Sequence, residues 1–428
     1  MGRARLVTKP QAATVLACSL SDNDQQQLPR ESRMTIALNE LWTGVAALAT
    51  ILLGVRINRW IPALAQYSIP PAVSGGLSIA VLLAVLGAAF DFTLTFGATL
   101  RNALLLIFFA ALGLTAKFRR LKSGGAAVAG LCVLIAVLAV AQSAAGVAIA
   151  SAFGKPAALG VFIGSVAFLG GHGTTVAWAE SELAQNLPYA LEIGMVCATL
   201  GLVAGAIVSG IVGTKLVEHA KRTPSAAAVA ETPEPEWPQS AFDSDRWITV
   251  LLWLAFSVGL GLAARPAVNA ALGATVPTFL AVLLAAVAVT NVADLARRRI
   301  DLDGVDLIGT LALRVFLAIA MLGLQLAAVG DSVGMIAVAA VVQVVIVSLM
   351  AALLLYPGMK GRDGAIGAAG FIGFGLGAMP VGLSAMKRLA LKYGDAPRAF
   401  LVITLAASLF TDTANALVVQ TFLGWFGK

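Results

Sequence analysis

Residues 170–178, with the sequence GGHGTTVAW, place three glycines among four residues inside an otherwise apolar region. Each glycine costs about 1 kcal/mol relative to alanine within a helix, so the run predicts a break in the backbone. Backbone groups released there need partners in the protein or a ligand, because lipid offers none. Amide groups at a helix start suit an anion such as a carboxylate, whereas freed carbonyls suit a cation such as Na⁺. We therefore predict a substrate-binding segment formed by Gly171, His172, Gly173, Thr174 and Thr175.

A second glycine run lies at residues 370–380, with the sequence GFIGFGLGAMP. Four glycines at alternating spacing followed by Pro380 are incompatible with a regular helix facing lipid. The run predicts the tip of a re-entrant hairpin. At this tip we expect Phe374, Gly375 and Gly377 to contact the substrate. The alternative for both runs is that their glycines serve close packing between helices.

Asp412 is an acidic residue deep inside an apolar run. An ionisable group at that depth is costly and by default functional. Its carboxylate suits Na⁺, since hard cations prefer oxygen ligands, or a substrate ammonium group. A polar contact between helices is the alternative. The candidate Na⁺-binding residues are Asp412, Thr411, Asn415, Thr199 and Asn291.

Arg314 is a second charged residue inside an apolar run, six residues into its predicted span. Long basic side chains near the end of a span extend toward the interface, and we expect Arg314 to do so on the cytoplasmic side. The alternative is a counter-charge for Asp306 or for an anionic substrate.

The composition defines the kind of protein that must position these residues. The 428-residue chain is 59% hydrophobic and only 12% charged, against about 25% charged for soluble domains. Its apolar runs have the length that a helix needs to cross about 30 Å of hydrocarbon. We predict an all-α integral membrane protein with ten spans, at residues 41–57, 71–90, 100–116, 125–152, 189–212, 247–264, 276–293, 308–329, 333–356 and 399–425.

The two glycine runs lie within longer glycine-rich segments, 157–183 and 365–390, which occupy corresponding places between the fourth and fifth span of each half. Short motifs also recur in order: LGL at 112–114 returns at 322–324, and GHG at 171–173 corresponds to GLG at 375–377. Five spans in the first half force the second half to run in the opposite direction. The sequence thus predicts two inverted five-helix repeats, each with a glycine-rich re-entrant hairpin, an organisation typical of secondary transporters.

The predicted domain organisation has four parts. Residues 1–33 form a polar, disordered extension, 34–214 the first repeat, 215–246 a linker, and 247–428 the second repeat. Lysine and arginine concentrate in alternate loops, which predicts an N-terminus outside and a cytoplasmic linker. The net charge of +7 reflects these anchoring loops.

Several function classes find no support in the sequence. It has no RNP, zinc-finger or basic-helix pattern, so nucleic-acid binding is not expected. It also has no Walker motif, Ser/His/Asp arrangement or HExxH, so neither ATP hydrolysis nor proteolysis is expected. Energy for transport would come from an ion gradient, and no cofactor is predicted. A channel and a membrane enzyme are the more distant alternatives.

The sequence resembles the bacterial sodium/glutamate symporter family, from about Met34 to the C-terminus. The motifs that carry the resemblance are YSIPPAVSGG at 67–76, FFA at 108–110 with LGL at 112–114, GGHGT at 170–174, CATLGLV at 197–203, GFGLGAMP at 373–380 and DTANALV at 412–418.

The resemblance implies Na⁺-coupled uptake of L-glutamate across a bacterial inner membrane by a ten-span protein. A homodimer is a candidate assembly. Two positions depart from the family pattern. Met379 stands where a small polar residue is usual, and Arg314 stands where a small polar residue is expected. Both departures bear on substrate choice, and another amino acid or dicarboxylate, with Na⁺ or with H⁺ through His172, is the alternative.

Overall fold

The computed structural model describes residues 34–67, 69–90, 92–119, 125–220, 244–273, 275–324 and 326–427, most of them helical. In chain order its elements are β1 (Met34–Ala37), α1 (Glu40–Trp60), α2 (Pro62–Gln66), α3 (Pro71–Phe90), β2 (Phe92–Thr95), α4 (Ala98–Thr115), α5 (Gly125–Ala152), α6 (Leu159–Phe162), α7 (Ser165–Phe168), α8 (Gly171–Ala179), α9 (Ala190–Ala220), α10 (Ser244–Leu272), α11 (Thr278–Leu295), α12 (Leu302–Leu322), a 3-10 segment (Leu326–Ser332), α13 (Val333–Met350), a π segment (Ala351–Leu355), α14 (Tyr356–Met359), α15 (Gly361–Leu376), α16 (Met379–Tyr393) and α17 (Pro397–Phe426).

Each of the ten predicted spans falls on a helix. Within the described residues, nine helical segments are long and apolar enough to cross a membrane. The tenth predicted span is α3, an apolar helix of 20 residues, which corresponds to about 30 Å of length. The prediction of a helical multi-pass membrane protein is confirmed. The predicted extension at 1–33 and residues 221–243 of the predicted linker lie outside the described residues.

Several span boundaries were wrong. The helix of the fifth predicted span continues to Ala220 and that of the sixth to Leu272, and the eighth ends at Leu322 rather than at residue 329. The span expected to begin at residue 308 begins at Leu302, because Asp301 caps α12 by accepting a hydrogen bond from the Gly304 amide at 3.1 Å. The Arg246 guanidinium also donates to the Asp301 carboxylate. That hydrogen bond holds the pKa of Asp301 below its usual range. The prediction from hydropathy missed this helix start because Asp303 and Asp306 lower the hydropathy of the first turns.

Both glycine runs interrupt helices. The first divides residues 159–179 into the short helices α6, α7 and α8. The second separates α15 from α16 at Gly377 and Ala378. With 16 and 15 residues, α15 and α16 are each about 24 Å long or less and do not cross about 30 Å of hydrocarbon. They pack against each other closely, since a methyl group on Gly373 would lie 2.5 Å from the Gly382 Cα atom.

A short parallel pair of strands was not predicted. Strand β1 pairs with β2 in the register Met34 to Phe92, so α1 and α4 begin on the same side of the molecule. Glu40, the first residue of α1, accepts hydrogen bonds from the Thr99 and Leu100 amides at 3.1 and 2.9 Å. The strand pair and the Glu40 hydrogen bonds therefore fix the position of the start of α1 relative to the start of α4.

The helices pack in two groups. The first helix group contains α1, α3, α4, α10, α11 and α12, and the second contains α5 to α9 and α13 to α17. Each group takes elements from both halves of the chain, with the first three long helices of each half in one group and the rest in the other. Helices α12 and α8 are in contact across the boundary between the groups.

Glycines permit the tightest contact in the first helix group, between α1 and α3. A methyl group on Gly54 would overlap the Pro71 carbonyl oxygen, and one on Gly75 would overlap the Thr50 carbonyl oxygen. In α10, by contrast, a methyl group on Gly259 would meet nothing within 4 Å. Gly75 therefore serves packing, and Gly259 does not.

We predict that Gly75→Ala lowers the thermal unfolding midpoint of the detergent-purified protein. Overpacking against a backbone atom costs about 1–3 kcal/mol or more, because neither helix can yield locally. Gly259→Ala is the matched control and should leave the midpoint unchanged or raise it, since alanine is the better helix former. Equal midpoints for the two variants would contradict the close contact between α1 and α3.

Candidate functional site

The two breaks in the backbone lie against each other. Gly171 opens α8 with a φ of 72°, in the left-handed region that favours glycine. A methyl group at Gly171 would lie 3.0 Å from the Gly377 carbonyl oxygen at the other break. Residues 206 positions apart thus bring the two breaks together as two facing tips, the first at the start of α8 and the second at Gly377 and Ala378.

A cavity of about 400 Å³ lies at these tips. Both helix groups form its wall, with α3, α4 and α12 from the first and the two tips, α9 and α17 from the second. The described lining residues are Pro70, Pro71, Ala72, Phe108, Leu169, Gly170, Gly171, His172, Gly173, Thr174, Leu202, Thr310, Leu313, Arg314, Leu317, Phe374, Gly377, Ala378, Met379, Pro380, Ala407, Thr411 and Asp412. Among them, Arg314 and Asp412 carry the charges.

The first tip brings four of its five predicted residues to the cavity. Gly171, His172, Gly173 and Thr174 line it. Thr175 is fully buried beneath them, and its hydroxyl donates to the Gly171 carbonyl at 2.8 Å. Thr175 therefore supports the start of α8 from behind.

His172 is held by the neighbouring helix α9. Its Nε2 atom lies 3.0 Å from the Thr199 hydroxyl oxygen. That hydroxyl also donates to the Met195 carbonyl at 2.9 Å. Thr199, predicted as an ion ligand, is absent from the cavity wall and instead positions the histidine.

The second tip contributes Phe374 and Gly377 to the cavity. The Gly377 amide already donates to the Gly373 carbonyl at the end of α15. Gly375 faces away, since a methyl group there would contact Leu138 and Val347 at 3.1 Å. At this tip the cavity therefore meets the beginning of α16, including Met379 and Pro380.

Of the five residues predicted to bind Na⁺, Thr411 and Asp412 line the cavity. Asn415 lies on the same helix but is fully buried behind the first tip, where its amide donates to the Ser165 carbonyl at 3.2 Å. Asn291 is placed elsewhere. Its amide donates to the Ala116 carbonyl and its oxygen accepts from the Phe118 amide, both at 2.9 Å, so Asn291 secures the end of α4.

Two buried glutamines, which were not predicted, hold the broken segments in place. Gln142 in α5 donates to the Gly375 carbonyl at 2.9 Å. Gln343 in α13 donates to the Gln142 carbonyl at 2.9 Å and to the Ile163 carbonyl at 3.4 Å. Each half of the chain thus supports the broken segment of the other half. Their signal in the sequence was a glutamine in the fourth span of each half, 201 positions apart.

Arg314 lies deeper in its helix than expected, and its side chain is exposed. It lies twelve residues after Leu302, the first residue of α12, which is about 18 Å along the helix. The expected position rested on the wrong start for this span. Its side chain lines the cavity, and within the described part of the chain no ion pair joins it to Asp306.

Comparisons with known proteins cover nearly the whole chain. The family model described as sodium/glutamate symporter matches residues 36–395. A sodium/glutamate symporter of Escherichia coli (strain K12) is 34% identical over 398 residues, which are 90% of this chain and 98% of the relative. One of Haemophilus influenzae is 30% identical over 401 residues, with the same coverage.

Among solved structures, a sodium proton antiporter from Methanocaldococcus jannaschii aligns with 91% of this chain and 99% of its own length. Its TM-score is 0.40 and its sequence identity is 13%.

We predict that Gln343→Met lowers the thermal unfolding midpoint of the purified protein. Methionine has a similar volume but no donor, so it leaves two buried carbonyls without this partner, at about 1–3 kcal/mol each. The matched control is Gln420→Met, which removes an exposed hydrogen bond to the Thr275 carbonyl that water can replace. Equal midpoints for the two variants would show that the glutamine does not support the broken segments.

Proposed function

Because the chain belongs to the sodium/glutamate symporter family, we propose that it is a secondary active transporter that imports L-glutamate with Na⁺. The protein is a transporter and not an enzyme. The observation that carries the proposal is the meeting of two interrupted helices at a cavity that also holds Asp412. Interrupted helices at matching positions are where secondary transporters bind substrate and coupling ion.

The first tip is the proposed site for a substrate carboxylate. The first four amide groups of a helix have no partner within that helix. In α8 these belong to Gly171, His172, Gly173 and Thr174, all of which line the cavity. They combine with the positive end of the helix dipole to favour an anion.

At the second tip, the residues that contribute amide groups differ from those expected from the sequence. The backbone of Phe374, Gly375 and Gly377 belongs to the end of α15, where the last carbonyl groups lack amide partners within the helix. The beginning of α16 at Met379 faces the same cavity. We therefore assign Phe374 and Gly377 to the cavity wall and Gly375 to the contact with Gln142. Amide groups for an anion at this tip come from α16.

Asp412 and Thr411 are the proposed ligands of Na⁺ or of the substrate ammonium group. Both line the cavity, and Thr411 is buried with its hydroxyl without a hydrogen-bond partner among the described residues. Asn415 supports this site from behind, and its side-chain oxygen is likewise without a described partner. The positions of Thr199 and Asn291 argue for structural roles.

The proposed transport cycle is alternating access in a bacterial inner membrane, with the N-terminus outside and the linker in the cytoplasm. The tips and Asp412 belong to the second helix group, so a movement of this group relative to the first would carry the site. We further propose that the chain contains two inverted repeats, at 34–214 and 247–428, and that it forms a homodimer. The equal division of both halves between the helix groups supports the repeats.

We predict that proteoliposomes containing the purified protein accumulate labelled L-glutamate when Na⁺ is imposed at higher concentration outside. A membrane potential of 100 mV adds about 2.3 kcal/mol per net charge, which supports accumulation well above tenfold. A proton gradient without Na⁺ should not drive uptake. Uptake driven by protons alone would favour coupling through His172, and conductance without accumulation would indicate a channel.

We further predict that Asp412→Asn raises the KM for Na⁺ by tenfold or more. The amide keeps the shape of the side chain but removes the charge, and a hydrogen-bonded charge in a low-dielectric site is worth about 1.5–3 kcal/mol. Na⁺-dependent uptake is the measurement, with the amount of inserted protein matched. Asp331→Asn, at an exposed residue outside the cavity, is the control. An unchanged KM for Na⁺ in Asp412→Asn would exclude this residue from the ion site.

A further inference from the structure

One charged residue in the cavity has no role in the proposed function so far. Arg314 lies on the face of α12 that also carries Thr310, Leu313 and Leu317, all of which line the cavity. Leu313 contacts the first tip directly, since a methyl group on Gly173 would lie 2.9 Å from its Cδ1 atom. The helical spacing of these residues thus places Arg314 on the cavity wall beside the first tip, where substrate is proposed to bind.

Arg314 has no anionic partner within the described part of the chain. The five ion pairs there use other basic residues, and Asp412 is not within 4.0 Å of Arg314. An intramembrane arginine is costly and normally faces a cavity or a partner charge. A guanidinium keeps its charge under all ordinary conditions. Its positive charge is therefore available to a ligand in the cavity.

The charges of the cavity come from different helix groups. Arg314 belongs to α12 in the first group, whereas Asp412 belongs to α17 in the second. A ligand that matches both charges needs a cationic and an anionic group. The amide groups at the start of α8 provide a place for a second anionic group.

Resting on the proposed function, we propose that Arg314 binds the side-chain carboxylate of the substrate and selects acidic amino acids over their neutral amides. The planar guanidinium forms two parallel hydrogen bonds to a carboxylate and cannot do so with a carboxamide. The α-carboxylate then lies at the start of α8 and the ammonium group near Asp412. The contact also spans the boundary between the two helix groups.

The test compares L-glutamate with L-glutamine, which has nearly the same shape but lacks the side-chain charge. Binding is measured as ligand-induced thermal stabilisation of the purified protein in NaCl, and uptake is measured in proteoliposomes. We expect the wild-type protein to prefer glutamate by about 30-fold or more, because losing one partner of a charge pair that the bound ligand removes from water costs at least that much. Arg314→Met should reduce the preference to about threefold or less by weakening glutamate binding alone.

Two further variants separate recognition from folding. Arg314→Lys keeps the charge but not the fork of donors, so its preference should lie between those of the wild type and Arg314→Met. Arg59→Met removes an exposed arginine at the end of α1, outside the cavity, and should behave as the wild type. The inference is overturned if Arg314→Met keeps its preference for glutamate, or if it loses both ligands equally.

The proposed function fails in a distinguishable way. A wild-type protein that neither binds nor accumulates glutamate contradicts the symport proposal, and this inference with it. A wild-type protein that accumulates glutamate, together with an Arg314→Met variant of unchanged selectivity, contradicts this inference alone.

Discussion

The structure depends on satisfying backbone groups that are released where helices break inside an apolar protein. Lipid cannot accept or donate hydrogen bonds, so each released carbonyl needs a donor from elsewhere in the chain. The side chains of Gln142 and Gln343 supply such donors to the Gly375 and Ile163 carbonyls. Asn415 adds a donor to the Ser165 carbonyl, which also accepts from the Leu169 and Gly170 amides. Because the donors lie on α5, α13 and α17, these three helices converge on the broken segments. The position of the cavity follows from that convergence.

Close backbone contacts complete this arrangement. A methyl group on Gly201 of α9 would overlap the Leu376 carbonyl oxygen at the end of α15, and one on Gly377 would lie 2.9 Å from the Leu202 Cα atom. The second tip thus rests directly on the backbone of α9. The first tip reaches the same helix through His172 and Thr199. Helix α9 is therefore the common support of both tips, which explains why glycine at residues 201 and 377 is a packing requirement.

The charged groups of the cavity come from different helix groups. Helix starts and Asp412 come from the second helix group, and Arg314 comes from the first. A fixed positive and a fixed negative charge in one cavity favour a ligand with both signs of charge over a simple anion. The membership of the chain in a sodium/glutamate symporter family agrees with such a ligand.

The sequence alone determined the features that depend on local composition. Runs of apolar residues placed ten helices, and clustered glycines placed two breaks, because the bilayer requires about 20 apolar residues per span and glycine weakens a helix wherever it stands. Asp412 was identified as a candidate site residue because an acid within an apolar run is also a local feature of the sequence. Only the tertiary structure decided which polar atoms meet. Gln142 and Gly375 are hydrogen-bond partners across 233 positions. Asn291 binds backbone groups at the end of α4. Arg314 lines the cavity because α12 begins at Leu302. These outcomes depend on the crossing of distant helices, and hydropathy sums over a window contain no term for such contacts.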